Sequence, residues 1–67
     1  MIKTTYSPEA LQDLRLKKGV SRFTMAKEIN LTEKAIYRYE KGEFNPTPTN
    51  LEKLSKYFGV CFEISAD

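Results

Sequence analysis

Apolar residues recur every three or four positions along most of this chain, and the recurrence is punctuated at regular places. Ser7, Ser21, Thr32 and Thr47 each stand just before such a stretch. Their hydroxyls can accept the unpaired N–H groups of a first helical turn. Pro8 and Pro48 follow two of them, at the first helical position, where a missing N–H costs nothing. Gly19, Gly42 and Gly59 each fall one step beyond a helical stretch, and Asn30 takes the fourth such place. A helix commonly ends there on a left-handed residue. The pattern predicts four helices: Pro8–Lys18, Arg22–Ile29, Glu33–Lys41 and Pro48–Phe58. Their apolar sets are Ala10, Leu11 and Leu14; Val20, Met25, Ala26, Ile29 and Leu31; Ala35, Ile36 and Tyr39; and Leu51, Leu54 and Phe58. Each set is narrow and each helix too short to hold in water alone, so the four must pack together.

The two ends follow another rhythm. Val60-Cys61-Phe62-Glu63-Ile64-Ser65 alternates apolar and polar residues and is rich in β formers. Ile2-Lys3-Thr4-Thr5-Tyr6 alternates as well. The expected arrangement is a small antiparallel pair, Ile2–Tyr6 with Val60–Ser65. A short fifth helix is the alternative for the tail. The fold class expected is therefore mainly α, a bundle of four to five helices with a small terminal two-stranded sheet.

Composition narrows the chemistry. Sixty-seven residues make one domain, 1–67, with a small core. The chain has no histidine and one cysteine, Cys61. An internal disulfide is excluded, and a zinc site lacks its usual ligands. Without histidine, Ser-His-Asp and Cys-His catalysis are excluded too. No enzyme activity, metal or cofactor is expected. Lacking a disulfide framework, a signal-peptide core and an apolar run of membrane-span length, the chain is expected to be cytoplasmic, with no membrane partner.

The net charge of +2 conceals an asymmetry. Arg15–Gly42 carries eight basic and three acidic residues, a net +5, between flanks that are mildly acidic. A positive segment of that kind suggests a polyanionic partner, although a solvated helix face would look the same.

Helices two and three are joined only by Asn30-Leu31-Thr32. A tight turn followed at once by a capping threonine allows a large angle between them, the helix-turn-helix arrangement. Ala26 is expected at the closest approach, with Leu31 and Ile36 filling the angle. At this point the chain resembles the Xre, or Cro/cI-like (lambda-repressor-like), helix-turn-helix family. The resemblance is carried by Leu14-Arg15, Lys18-Gly19-Val20-Ser21, Met25-Ala26, Asn30-Leu31-Thr32, Ile36, Tyr39-Glu40-Lys41-Gly42, Pro46, Leu54 and Phe58-Gly59-Val60. It covers about Leu11 to Val60. It implies double-stranded DNA as partner, a homodimer on a palindromic operator, and a repressor of phage, plasmid or antitoxin type, of bacterial or phage origin. It also implies a structural ion pair between Arg15 and Glu40. The chain departs from the family pattern at Asn30, where glycine is frequent, at Arg22, where glutamine is frequent, and at Phe23, where a polar residue is usual.

The third helix is the expected reading element. With Ile36 and Tyr39 inward, Glu33, Lys34, Tyr37 and Arg38 lie on the other side, as candidate base contacts. Arg38 can bond bidentately to guanine, Lys34 can reach the same acceptors, and Tyr37 can pack on a thymine methyl. Glu33 suits a helix N-terminus for dipole reasons, or can accept from cytosine N4–H. Candidate phosphate contacts are Arg22, Thr32, Lys41 and Asn45. Lys17, Lys18 and Lys27 add to the field. Tyr6, Phe44 and Tyr57 are expected to pack, and Phe62 and Ile64 to serve the core or a dimer interface. The alternative function is a protein-interaction module on the same fold with weak or no specific DNA binding, suggested by Phe23 and the apolar tail.

Overall fold

A computed structural model describes residues 2–63. The elements run β1 (Ile2–Thr5), α1 (Pro8–Lys18), α2 (Arg22–Ile29), α3 (Glu33–Lys41), α4 (Pro48–Phe58) and β2 (Val60–Glu63). Each helix is started by the hydroxyl in front of it. Ser7 Oγ accepts from Ala10 N–H at 3.0 Å, Ser21 Oγ from Thr24 at 3.1 Å, Thr32 Oγ1 from Ala35 at 3.0 Å, and Thr47 Oγ1 from Asn50 at 3.2 Å. Each cap satisfies a donor that the helix itself cannot pair.

Four side chains are fully buried, one from each helix: Leu11, Met25, Ile36 and Leu54. Around them close Ala26, Ile29, Tyr39, Tyr6, Val60 and Phe62, with Leu14, Val20, Leu31, Ala35, Leu51, Tyr57 and Phe58 partly buried at the margin. Full burial of one such aliphatic side chain is worth roughly 1.5–3 kcal/mol, so these four anchors tie all four helices to a single centre.

β1 and β2 do pair, but in parallel, with Ile2 beside Val60 and Thr5 beside Glu63. The antiparallel arrangement expected from the alternation is thus corrected. The reason is physical: an alternating pattern reads the same in either direction, while the direction of pairing is set by the path of the helices between the strands. Tyr6 N–H extends the ladder by donating to Glu63 C=O at 2.7 Å. On the other edge of β2, Phe62 N–H donates to Ser55 Oγ of α4 at 3.3 Å. Val60 and Phe62 face the core, where Phe62 meets Tyr6 edge-to-face at 5.6 Å, and Cys61 and Glu63 face solvent. The tail from Val60 begins as a strand and not as a fifth helix. Ile64 and Ser65, also expected in that strand, lie outside the described residues.

Candidate nucleic-acid interface

The turn between α2 and α3 is closed by its own backbone. Asn30 takes the left-handed conformation at φ 60°, and the N–H groups of Asn30 and Leu31 both return to Ala26 C=O. Asparagine is the residue besides glycine that visits this region most readily. Ala26 is nearly inaccessible, Ile36 is fully buried, and Leu31 is half-buried against the same core.

α3 is divided lengthwise. Ile36, Tyr39 and Glu40 are buried, whereas Glu33, Lys34, Tyr37 and Lys41 are exposed and Arg38 is half-buried. Arg22 of α2 and Glu33, Lys34 and Tyr37 of α3 line one cleft of about 290 Å³. The candidate base contacts Glu33, Lys34 and Tyr37 are therefore brought together with one candidate phosphate contact, Arg22. Arg38 does not line this cleft; its guanidinium carbon lies 5.6 Å from the centre of the Phe44 ring. Lys41 lies over Tyr37 at 5.5 Å, on a ring that also carries Arg22 at 5.2 Å. The Thr32 hydroxyl is committed to capping α3, and Asn45 is exposed in the loop to α4.

Beneath this surface lies a charge cluster. The side chain of Glu40 is 1% exposed. Its Oε2 accepts from Arg15 Nε at 2.6 Å, and its Oε1 from Arg22 Nε at 3.0 Å and Arg15 Nη2 at 3.3 Å. Arg15 also donates to Val20 C=O at 3.0 Å. One buried carboxylate thus joins α1, α2 and α3 through two guanidinium groups. Charges so deeply buried are tolerated only when paired and hydrogen-bonded in this way.

Two features were not read from the sequence. Arg22 is half of an internal ion pair and not simply a free cation, because an arginine and a glutamate 18 positions apart on different helices carry no local signal of contact. Phe44 is 46% exposed, although it meets Tyr39 edge-to-face at 5.9 Å. Its distance of six from Arg38 across a glycine-ended helix was the available clue. Tyr57 ties α4 to α2 by donating to the Glu28 carboxylate, and Lys18 lies over its ring at 4.9 Å. Burial first, and then the Glu28 bond, push the Tyr57 phenol up to about 12.

Among the described residues no cluster of three or more His, Cys, Asp or Glu is placed to hold a metal ion, and no helix is long and apolar enough to cross a membrane. The surface offers positively charged and phenolic donors on one face of a helix whose other face is buried. Such donors can hydrogen-bond to acceptor groups on a polyanion.

The helix-turn-helix family profile matches residues 11–62, which include all four helices except the start of α1. A provisionally named HTH-type transcriptional regulatory protein of Aeropyrum pernix is 38% identical over 53 residues, 79% of this chain and 16% of that protein. A similarly named protein of Pyrobaculum aerophilum is 34% identical over 59 residues, 88% of this chain and 24% of that protein. The chain therefore spans a quarter or less of the length of these curated relatives. No solved structure gives a significant match. With the profile covering most of the chain and the turn geometry in place, the chain belongs to the helix-turn-helix family.

Proposed function

We propose that this chain is a sequence-specific regulator of transcription that binds double-stranded DNA by inserting α3 into the major groove. It acts as a repressor and as a dimer on a palindromic operator. The observation that carries this reading is the division of α3: one face is locked into the core by Ile36, Tyr39 and Glu40, while the other presents Lys34, Tyr37 and Lys41 to solvent. Base contacts are assigned to Glu33, Lys34, Tyr37 and Arg38, and phosphate contacts to Arg22, Thr32, Lys41 and Asn45. A dimer would place two such helices about 34 Å apart, one turn of the duplex.

Selection from a random duplex pool at fixed, near-physiological salt tests the reading. Enrichment of a short palindrome is expected. Arg38→Ala should then lose roughly 1–3 kcal/mol selectively at one base pair, while Lys41→Ala, which leaves the buried Glu40 cluster intact, should weaken all duplexes alike and flatten the salt slope by about one unit. If the two variants behave identically on every duplex, the division into base and backbone contacts is wrong. A second reading, a protein-interaction module on the same fold, is favoured by Phe23, which is 62% exposed on the first turn of α2. Binding without preference for any duplex would support that reading.

A further inference from the structure

Four large apolar or aromatic side chains stand exposed among the described residues, Leu16, Phe23, Tyr37 and Phe44, and two of them carry cations. Phe44 is placed there by the way α3 ends. Gly42 N–H donates to Tyr39 C=O and Glu43 N–H to Arg38 C=O, at 3.2 and 3.0 Å. This 5→2 and 6→1 pair of bonds is a Schellman turn, and it folds the chain back over the last helical turn. The next residue, Phe44, arrives beside Arg38 with its ring 5.6 Å from the guanidinium carbon. The ring is itself held edge-to-face by buried Tyr39 at 5.9 Å, and Asn50 of α4 fixes Tyr39 through its hydroxyl at 3.0 Å. Arg38 has no carboxylate partner among the described residues, and the ring is the contact its guanidinium makes there.

We infer that Phe44 is a positioning residue for sequence reading: it holds the Arg38 guanidinium in place before DNA arrives, so that the fork meets guanine without first losing its rotamer freedom. An arginine side chain is entropically expensive to order, and a cation on an aromatic face is held without consuming its N–H donors. The free N–H groups remain available for the O6 and N7 acceptors of guanine. This inference rests on the base-reading role proposed above for Arg38. It makes the exposed aromatic part of the specificity apparatus, although its own contact with a base is not required.

The test compares wild type with Phe44→Leu, which keeps an apolar contact on Tyr39 but removes the π face, and with Phe44→Trp, which keeps both. In the free protein, 15N relaxation of the Arg38 Nε–H group should show an ordered side chain in wild type and Phe44→Trp and a mobile one in Phe44→Leu. On the selected duplex and on one altered at the Arg38-dependent base pair, Phe44→Leu should reduce discrimination by about three-fold. Preferences at other positions should stay in place, and Phe44→Trp should restore the ratio. An equally mobile Arg38 in wild type overturns the inference. So does a discrimination ratio lost in Arg38→Ala but kept in Phe44→Leu, or one in which Phe44→Leu weakens every position alike. A wild-type chain that prefers no base pair overturns the reading of α3 and this inference with it.

Discussion

The hydroxyl of Tyr6 is buried and meets no hydrogen-bond partner among the described residues. Burial, with smaller effects from Tyr39 and Glu40, pushes its phenol from 10.0 up to about 12. An unpaired buried hydroxyl is a cost carried by the fold, so Tyr6→Phe should leave stability at pH 7 unchanged or raise it by up to about 1 kcal/mol. Because the folded value lies above the unfolded one, the native state favours the neutral phenol. That contribution is full below pH 10 and is lost as the pH rises through about 12. The stability of wild type relative to Tyr6→Phe should therefore fall over that window, read from urea midpoints of the two proteins side by side. Glu40 is the opposite case, a buried polar group with both oxygens engaged. Its pairing with Arg15 was readable only through family resemblance, and the pairing with Arg22 not at all. Contacts between distant helices leave no periodic trace, whereas a cap and its helix lie three residues apart and do.

At the scale of elements, all four helices begin and end where the hydroxyls, prolines, glycines and Asn30 place them. Such signals are local and chemical, which is why they were legible. The strands were legible as strands but not in direction, since Val60 and Phe62 face inward whichever way their partner runs. The end of α3 is the boundary on which most depends. Gly42 sits at φ +75°, and a Cβ there would come within 3.3 Å of Pro8 Cγ at the start of α1. Gly42→Ala combines left-handed strain with a tight contact, and should cost about 1–2 kcal/mol in chemical denaturation. A loss well below that range would mean that the turn relaxes without strain. Phe44 stands two residues beyond this turn, so the stop signal of one helix also places a side chain on the surface beyond it.

On the scale of the whole molecule, β1 and β2 bring the two extremes of the described chain together over one core. Phe62 is central to that closure, packed on Tyr6 and buried beneath the sheet. Phe62→Ala should cost about 3–5 kcal/mol. A domain of this size commands only about 3–10 kcal/mol in total, at roughly 0.05–0.15 kcal/mol per residue. Helical circular dichroism and tyrosine fluorescence should therefore be lost together, at a much lower urea midpoint, and not as a fraying of the ends. Helices that persist after the tyrosine signal has changed would show that the sheet is dispensable to the bundle. The parallel register has one more consequence. The chain enters β1 at Ile2 and leaves β2 at Glu63, at opposite ends of the ribbon. Tension drawn along the polypeptide slides the strands past each other and loads their hydrogen bonds all at once. An antiparallel pair would present both ends on one side and peel open bond by bond. The direction of two four-residue strands thus makes the domain a mechanical clasp that resists in shear.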